Sequence, residues 1–218
     1  GMASCTIQVR ALVRIFDAGT AALLNEYTLK PRQCGAGGLP NSTTFSWNAQ
    51  QHNVNIAATA IGGGGASDYG IYNTGNIYTG SGTLTINGTA SSGANARNGV
   101  YQLQNKIGDA SMTGNIVING TGLNMASSVS LQTTGSGSVN VAVTADIVTY
   151  AITTAGGAIT LRSRSADAAS GRVEVLGALA SGGGNITIGG GSGTISAGSG
   201  YAIGSTNSGN GLKGVTIG

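Results

Sequence analysis

The sequence predicts an all-β fold, a β-solenoid stacked from short coils. Three observations carry this. A tripeptide of apolar, small polar and apolar residues recurs along the last two thirds of the chain: Leu84-Thr85-Ile86, Ile116-Val117-Ile118, Val139-Asn140-Val141, Ile159-Thr160-Leu161, Ile186-Thr187-Ile188 and Val215-Thr216-Ile217. The average step is about 26 residues, the range of stacked repeats. A second series alternates with it, pairing a small residue with an apolar one: Gly70-Ile71, Gly99-Val100, Gly122-Leu123, Ala151-Ile152, Ala178-Leu179 and Ala202-Ile203. Finally, 40 of the 218 residues are glycine, only 8% are charged, and mean hydropathy is +0.14.

That composition excludes several classes. A disordered chain combines low hydropathy with high charge. Collagen needs abundant proline, and this chain has two, Pro31 and Pro40. No run reaches the ~18 apolar residues of a membrane-spanning helix. Many short strands joined by Gly, Asn and Ser turns remain.

Within each tripeptide the first and third residues share a face. The inward ladder is therefore Leu84, Ile116, Val139, Ile159, Ile186 and Val215 beside Ile86, Ile118, Val141, Leu161, Ile188 and Ile217. Burial is worth roughly 1.5–3 kcal/mol for each, enough for a continuous spine. The corners are written in Asn87-Gly88-Thr89, Asn119-Gly120-Thr121 and Gly189-Gly190-Gly191, since Asn and Gly tolerate positive φ. A third strand series through Ile77, Leu103, Val129, Val173 and Ile195 drifts in phase and is not assigned.

The segment ahead of the repeats differs. Ile7, Val9, Ala11, Val13 and Ile15 alternate with Gln8, Arg10, Leu12, Arg14 and Phe16, the pattern of one long strand. A short helix is expected over Thr20–Tyr27, with Thr20 as its cap. Residues 1–61 are assigned as an N-terminal β-rich cap over the open end of the solenoid, and residues 62–218 as its coils. Gly62–Ala66 marks the boundary. The coils end on the sixth tripeptide without a cap, so further coils of a longer chain are the expected neighbour. Cys5 and Cys34 both fall in the cap segment. Pairing in an oxidising compartment would contribute roughly 3–4 kcal/mol; two separate buried thiols are the alternative.

The strings Gly184-Asn185-Ile186-Thr187-Ile188-Gly189, Gly82-Thr83-Leu84-Thr85-Ile86-Asn87-Gly88 and Gly156-Gly157-Ala158-Ile159-Thr160-Leu161 resemble the repeats of filamentous haemagglutinin-type exoproteins and autotransporter passengers of Gram-negative bacteria. The resemblance covers residues 62–218. It implies a right-handed parallel β-helix, here of about five to six coils, export to the outer membrane surface or beyond, and adhesion. The secretion domain of such exoproteins carries an Asn-Pro-Asn-Gly motif. Only Leu39-Pro40-Asn41-Ser42 comes near it, so the first sixty residues are not assigned to that domain.

Chemistry-bearing residues are sparse. His52 is the only histidine, in the polar run Gln50-Gln51-His52-Asn53, and reads as an exposed residue rather than a base or ligand. Two cysteines and one histidine fall short of a zinc set, and no cofactor is expected. A polysaccharide lyase or hydrolase would need paired carboxylates. Only Asp146 and Asp167 have coil-like spacing, and they read as solvated loop residues. Gly62-Gly63-Gly64-Gly65 and Gly182-Gly183-Gly184 lack the Lys-Ser/Thr of a phosphate loop and read as turns. A net charge of +3 is too thin for a nucleic-acid reader. One basic cluster, Arg162, Arg164 and Arg172, offers a polyanion contact or simply keeps the wall soluble.

Two surface features complete the reading. The outward ladder Thr85, Val117, Asn140, Thr160, Thr187 and Thr216 suggests an ice- or polysaccharide-binding wall, though β-propensity explains the threonines as well. Tyr69, Tyr150 and Tyr201 each precede an apolar anchor by two positions and are expected in the core rather than on a sugar platform. The functional expectation is a non-enzymatic adhesin or stalk segment, secreted or on a bacterial cell surface. It does not insert into the membrane. It presents loops such as Ser91–Asn98 and Ile107–Thr113 to a glycan or protein surface.

Overall fold

The structure is a computed structural model of the 218-residue chain. It describes residues 10–16, 23–29, 47–48, 53–60, 69–90, 98–127, 129–164, 171–190, 201–205, 212–213 and 216–217, with side chains over 53–60, 69–90, 98–127, 129–164 and 171–189. Cys5, Cys34, His52, Gly62–Ala66 and Asp167 lie outside the described residues.

The described strands begin with β1 (Arg10–Phe16), β2 (Leu23–Leu29) and β3 (Trp47–Asn48). Then come β4 (Asn53–Thr59), β5 (Ile71–Asn73), β6 (Ile77–Tyr78), β7 (Leu84–Thr89), β8 (Val100–Gln102), β9 (Lys106–Gly108), β10 (Ile116–Gly120), β11 (Leu123–Met125) and β12 (Ser130–Gln132). The stack continues with β13 (Val139–Val143), β14 (Ile147–Thr149), β15 (Ala151–Thr153), β16 (Ile159–Ser163), β17 (Val173–Val175) and β18 (Ala178–Ala180). Last are β19 (Ile186–Gly190), β20 (Tyr201–Ser205), β21 (Leu212–Lys213) and β22 (Thr216–Ile217).

These strands build a parallel β-solenoid with three walls. The first wall runs β2-β1-β4-β7-β10-β13-β16-β19-β20, the second β21-β17-β14-β11-β8-β5, and the third β22-β18-β15-β12-β9-β6-β3. From β4 to β18 the chain visits the first, second and third wall in turn, and residues 69–189 make about four such turns. No helix occurs among the described residues.

The first-wall ladder follows the tripeptides. Leu84 pairs with Ile116, Ile116 with Val139, Val139 with Ile159 and Ile159 with Ile186, all parallel. Those residues, and their companions Ile86, Ile118, Val141, Leu161 and Ile188, have no solvent exposure. The middle positions Thr85, Val117, Asn140, Thr160 and Thr187 face outward. The walls close on one aliphatic core, which the second and third walls line with Ile71, Val100, Leu123, Ile147 and Val173, and with Ile77, Ile107, Leu131, Ile152 and Leu179.

Several expectations are corrected. The last tripeptide is not in the first wall: Thr216 and Ile217 form β22, which pairs with β18 in the third wall. The first-wall partner of β19 is Tyr201–Ser205, with Ile188 opposite Ile203. The second series mixes walls. Ile71, Val100 and Leu123 belong to the second wall, Ile152 and Leu179 to the third, and Ile203 to the first. A third wall does exist, and the phase drifted because Ile77 and Val173 sit on different walls.

The Thr20–Tyr27 region is not helical where described. Leu23–Leu29 is a strand that pairs antiparallel with β1, Leu29 opposite Ala11. Ala21, Ala22, Leu23, Leu24 and Glu26 favour helix, but two turns of helix without packing are marginal; a full strand pairing outweighs them. β1 in turn pairs antiparallel with β4. Parallel stacking already begins ahead of residue 62, because β4 pairs with β7 and β3 with β6.

Glycine sets the corner before the first-wall strands β7, β10, β13, β16 and β19. Gly82, Gly114, Gly137, Gly157 and Gly184 each stand two residues ahead of the strand. A Cβ on Gly114, Gly137, Gly157 or Gly184 would come well inside 3.0 Å of the carbonyl oxygen of the glycine one turn earlier. Only glycine lets the coils approach this closely. At Gly182 and Gly183, φ values of 63° and 105° confirm the turn expected of that run.

Candidate functional site

The outer surface offers two concentrations of functional side chains. The first lies where the first wall meets the second. Arg162 occupies the outward face of β16, and Arg164 follows the strand. Arg172 immediately precedes β17, so the topology gathers all three sequence-predicted arginines at one corner. They are not three equal cations. Arg162 is only 8% exposed. Burial, then the neighbouring Arg164 charge, pushes its guanidinium below its ordinary pKa. Arg164 is exposed. Arg172 spends its charge on Glu174, with Nη2 2.9 Å from Oε2; its side chain is 48% exposed and that of Glu174 only 8%.

Asp146 sits at the same corner, and here the sequence expectation is corrected. It is not a solvated loop carboxylate but is buried, and its Oδ1 accepts hydrogen bonds from the backbone N–H groups of Gly171 at 2.7 Å and Arg172 at 2.9 Å. The carboxylate fastens the chain as it enters β17. Ser163 beside it donates its hydroxyl to the Ala145 carbonyl at 2.6 Å. The corner therefore joins coils through a buried carboxylate and a hydroxyl. Among the described residues no three His, Cys, Asp or Glu side chains gather as a metal site would require.

The second concentration is aromatic, on the outer face of the second wall. Tyr72 in β5 and Tyr101 in β8 are register partners. Their ring centroids are 5.4 Å apart with planes at 29°. Tyr69 joins them, 4.8 Å from Tyr101 at 22° and 5.7 Å from Tyr72 at 46°. All three are half-buried. Asn124 in β11 continues the row next to Tyr101, and Val148 in β14 follows Asn124. The sequence reading missed this group because it followed the residue two before each anchor. Tyr72 and Tyr101 come one after the anchors Ile71 and Val100, a signal open to inspection. Tyr150 does pack against the core as expected, whereas Tyr69 stacks in the surface trio. The side chain of Tyr201 is not among those described.

The outer face of the first wall is polar and regular. Asn87 Nδ2 donates to Asn55 Oδ1 at 2.8 Å, and Asn119 Nδ2 donates to Asn87 Oδ1 at 3.0 Å. This amide ladder ties three coils together. Of the expected recognition loops, 91–97 lies outside the described residues. The other begins later than expected: Ile107 and Gly108 belong to β9, Ile107 is fully buried, and the connection spans 109–115.

Connection lengths differ by corner. Between the second and third walls they are short: 74–76, 103–105, 126–129, 150 and 176–177. Between the third and first walls they are even: 79–83, 109–115, 133–138, 154–158 and 181–185. Between the first and second walls they are either long, as in 60–70, 90–99 and 164–172, or minimal, as in 121–122 and 144–146. From β4 to β19 the long connections thus all join the first wall to the second. No family model, curated protein or solved structure matches the chain.

Proposed function

We propose that this chain is a non-enzymatic stalk and attachment segment of a secreted or cell-surface protein, in which the solenoid supplies length and one edge presents recognition loops. The supporting observation is that from β4 to β19 the connections of nine residues or more, 60–70, 90–99 and 164–172, all join the first wall to the second. A coil needs only two or three residues to turn that corner, as 121–122 and 144–146 do. The additional residues are not required by the backbone path, and loops held on a rigid scaffold are where binding residues concentrate. The resemblance of the Gly-x-apolar-x-apolar strings to exported adhesin repeats agrees with this reading.

The test is attachment of beads coated with the chain to cells and to immobilised glycans, with and without shortening of 90–99 to a two-residue connection. The shortened chain is expected to keep its β-sheet circular dichroism and lose attachment. Equal attachment by the shortened chain overturns the edge-loop reading. Cleavage of polyuronate substrates by the unaltered chain overturns the non-enzymatic one.

A further inference from the structure

We propose that Tyr69, Tyr72 and Tyr101 form a carbohydrate contact patch for an uncharged pyranose, with Asn124 at its side. The inference deepens the attachment reading above and rests on it for its biological setting. Its physical basis is separate, since Tyr72 and Tyr101 lie on strands and only Tyr69, two residues ahead of β5, belongs to a corner connection.

The first argument is that these rings are not needed for the core. The core is aliphatic, and Tyr78 and Tyr150 are the tyrosines packed against it. The trio instead stacks on itself outside the second wall, at centroid distances of 4.8, 5.4 and 5.7 Å. Tyrosine combines a broad apolar ring with a polar tip, which suits a sugar that has an apolar C–H face and a rim of hydroxyls. Mutual stacking on strands holds the rings in place before a ligand arrives, so little side-chain entropy is lost on binding.

The second argument concerns size. Three tyrosines fully buried would cover about 150–250 Å² each. Most of that is already covered, so at most roughly 150–250 Å² is on offer. A stable protein–protein interface needs about 800 Å² per partner. The patch is too small for a protein and large enough for the face of a sugar ring.

The third argument is charge. Along the outer row the sequence is Tyr72, Tyr101, Asn124, Val148 and then Glu174. With ~4.8 Å between strands, Glu174 lies roughly 14 Å from Tyr101 along the wall, beyond the ~8 Å screening length at physiological salt. Lys213 stands one rung beyond Glu174 at the far end of the row, so an acidic glycan gains no cation near Tyr101. The Asn124 amide, one rung from Tyr101, carries both donor and acceptor capacity for ligand hydroxyls.

Isothermal titration of the full chain against cellohexaose, maltohexaose, chitohexaose and hexagalacturonate tests the patch. At least one neutral hexaose is expected to bind, with an affinity that does not change with added salt, and hexagalacturonate is not. Tyr101→Ala should weaken binding by about tenfold or more, while Tyr101→Phe should keep most of it. Should Tyr101→Ala lose its β-sheet circular dichroism, Tyr72→Ala on the first second-wall strand of the stack replaces it. The proposal is overturned by failure of all three neutral hexaoses, by binding of hexagalacturonate alone, or by unchanged affinity in a folded alanine variant. A protein that binds through Tyr101 when no neutral hexaose does also overturns it. Sugar binding without cell attachment would count against the attachment reading alone, and attachment without sugar binding against the patch alone.

Discussion

At the scale of single residues, equivalent corner positions do unequal work. Thr79, Thr133 and Thr154 are buried where the third wall turns toward the first, and each donates its hydroxyl to the carbonyl of the glycine that ends the turn. For Thr133 the acceptor is Gly137 O at 2.6 Å. Ser181 occupies the same place one turn on, is fully buried, and its hydroxyl oxygen has no hydrogen-bond partner. Removing one member of a buried pair leaves the other unsatisfied, whereas removing an unpaired hydroxyl removes a cost. Thr133→Val should therefore lower stability by about 1–2 kcal/mol, and Ser181→Ala should leave it unchanged or raise it slightly. Denaturant titration of both variants checks the contrast, and equal losses would mean that the serine finds a partner in solution.

At the scale of elements, legibility followed strand length. First-wall strands carry two inward apolar residues, as in Ile116 and Ile118, so their period survives uneven loops. Second- and third-wall strands have three residues or fewer, and several carry a single aliphatic anchor, such as Ile152 in β15, though β11 and β17 each bury two apolar residues. A lone anchor beside a small residue does not say which wall it is on. The long first-to-second corners then shift the spacing, and the two walls merged into one series. Val54-Asn55-Ile56 repeats the tripeptide pattern and marks β4, but it lies in the segment set aside as the cap. The basic corner was legible as a cluster, though not the burial of Arg162 or the Arg172–Glu174 pair. Both depend on which coil stacks over which.

The corner glycines make a sharper claim about elements. A Cβ on Gly157 would collide with the carbonyl oxygen of Gly137, which is backbone and cannot rotate away. Gly157→Ala must push two turns apart and should cost about 1–3 kcal/mol, the usual range for overpacking. Ser136→Ala, an exposed change in the neighbouring turn, should stay within about 0.5 kcal/mol. Thermal melting of the pair isolates close coil approach from general corner sensitivity. Identical melting temperatures would show that the coils are spaced more widely than the structure has them.

At the scale of the whole molecule, each coil touches only the coils before and after it, so stability is a chain of neighbour terms rather than one shared core. Position along the stack should then decide how far damage spreads. Ile118 in β10 and Ile188 in β19 are both fully buried on the same wall. An aspartate at either place buries an unpaired charge, a cost of several kcal/mol. β10 is flanked by β7 and β13, each with further strands beyond it. Ile118→Asp should open the stack in its middle and remove amide-exchange protection from β7, β10 and β13. β19 has one described strand beyond it, β20. Ile188→Asp should therefore expose β19 and β20 and leave β7 and β10 protected. Hydrogen exchange read by mass spectrometry resolves these segments directly. If both variants lose protection over the entire chain together, the solenoid melts as one cooperative unit and the neighbour-by-neighbour account fails. If Ile118→Asp keeps full protection, residue 118 does not face the core.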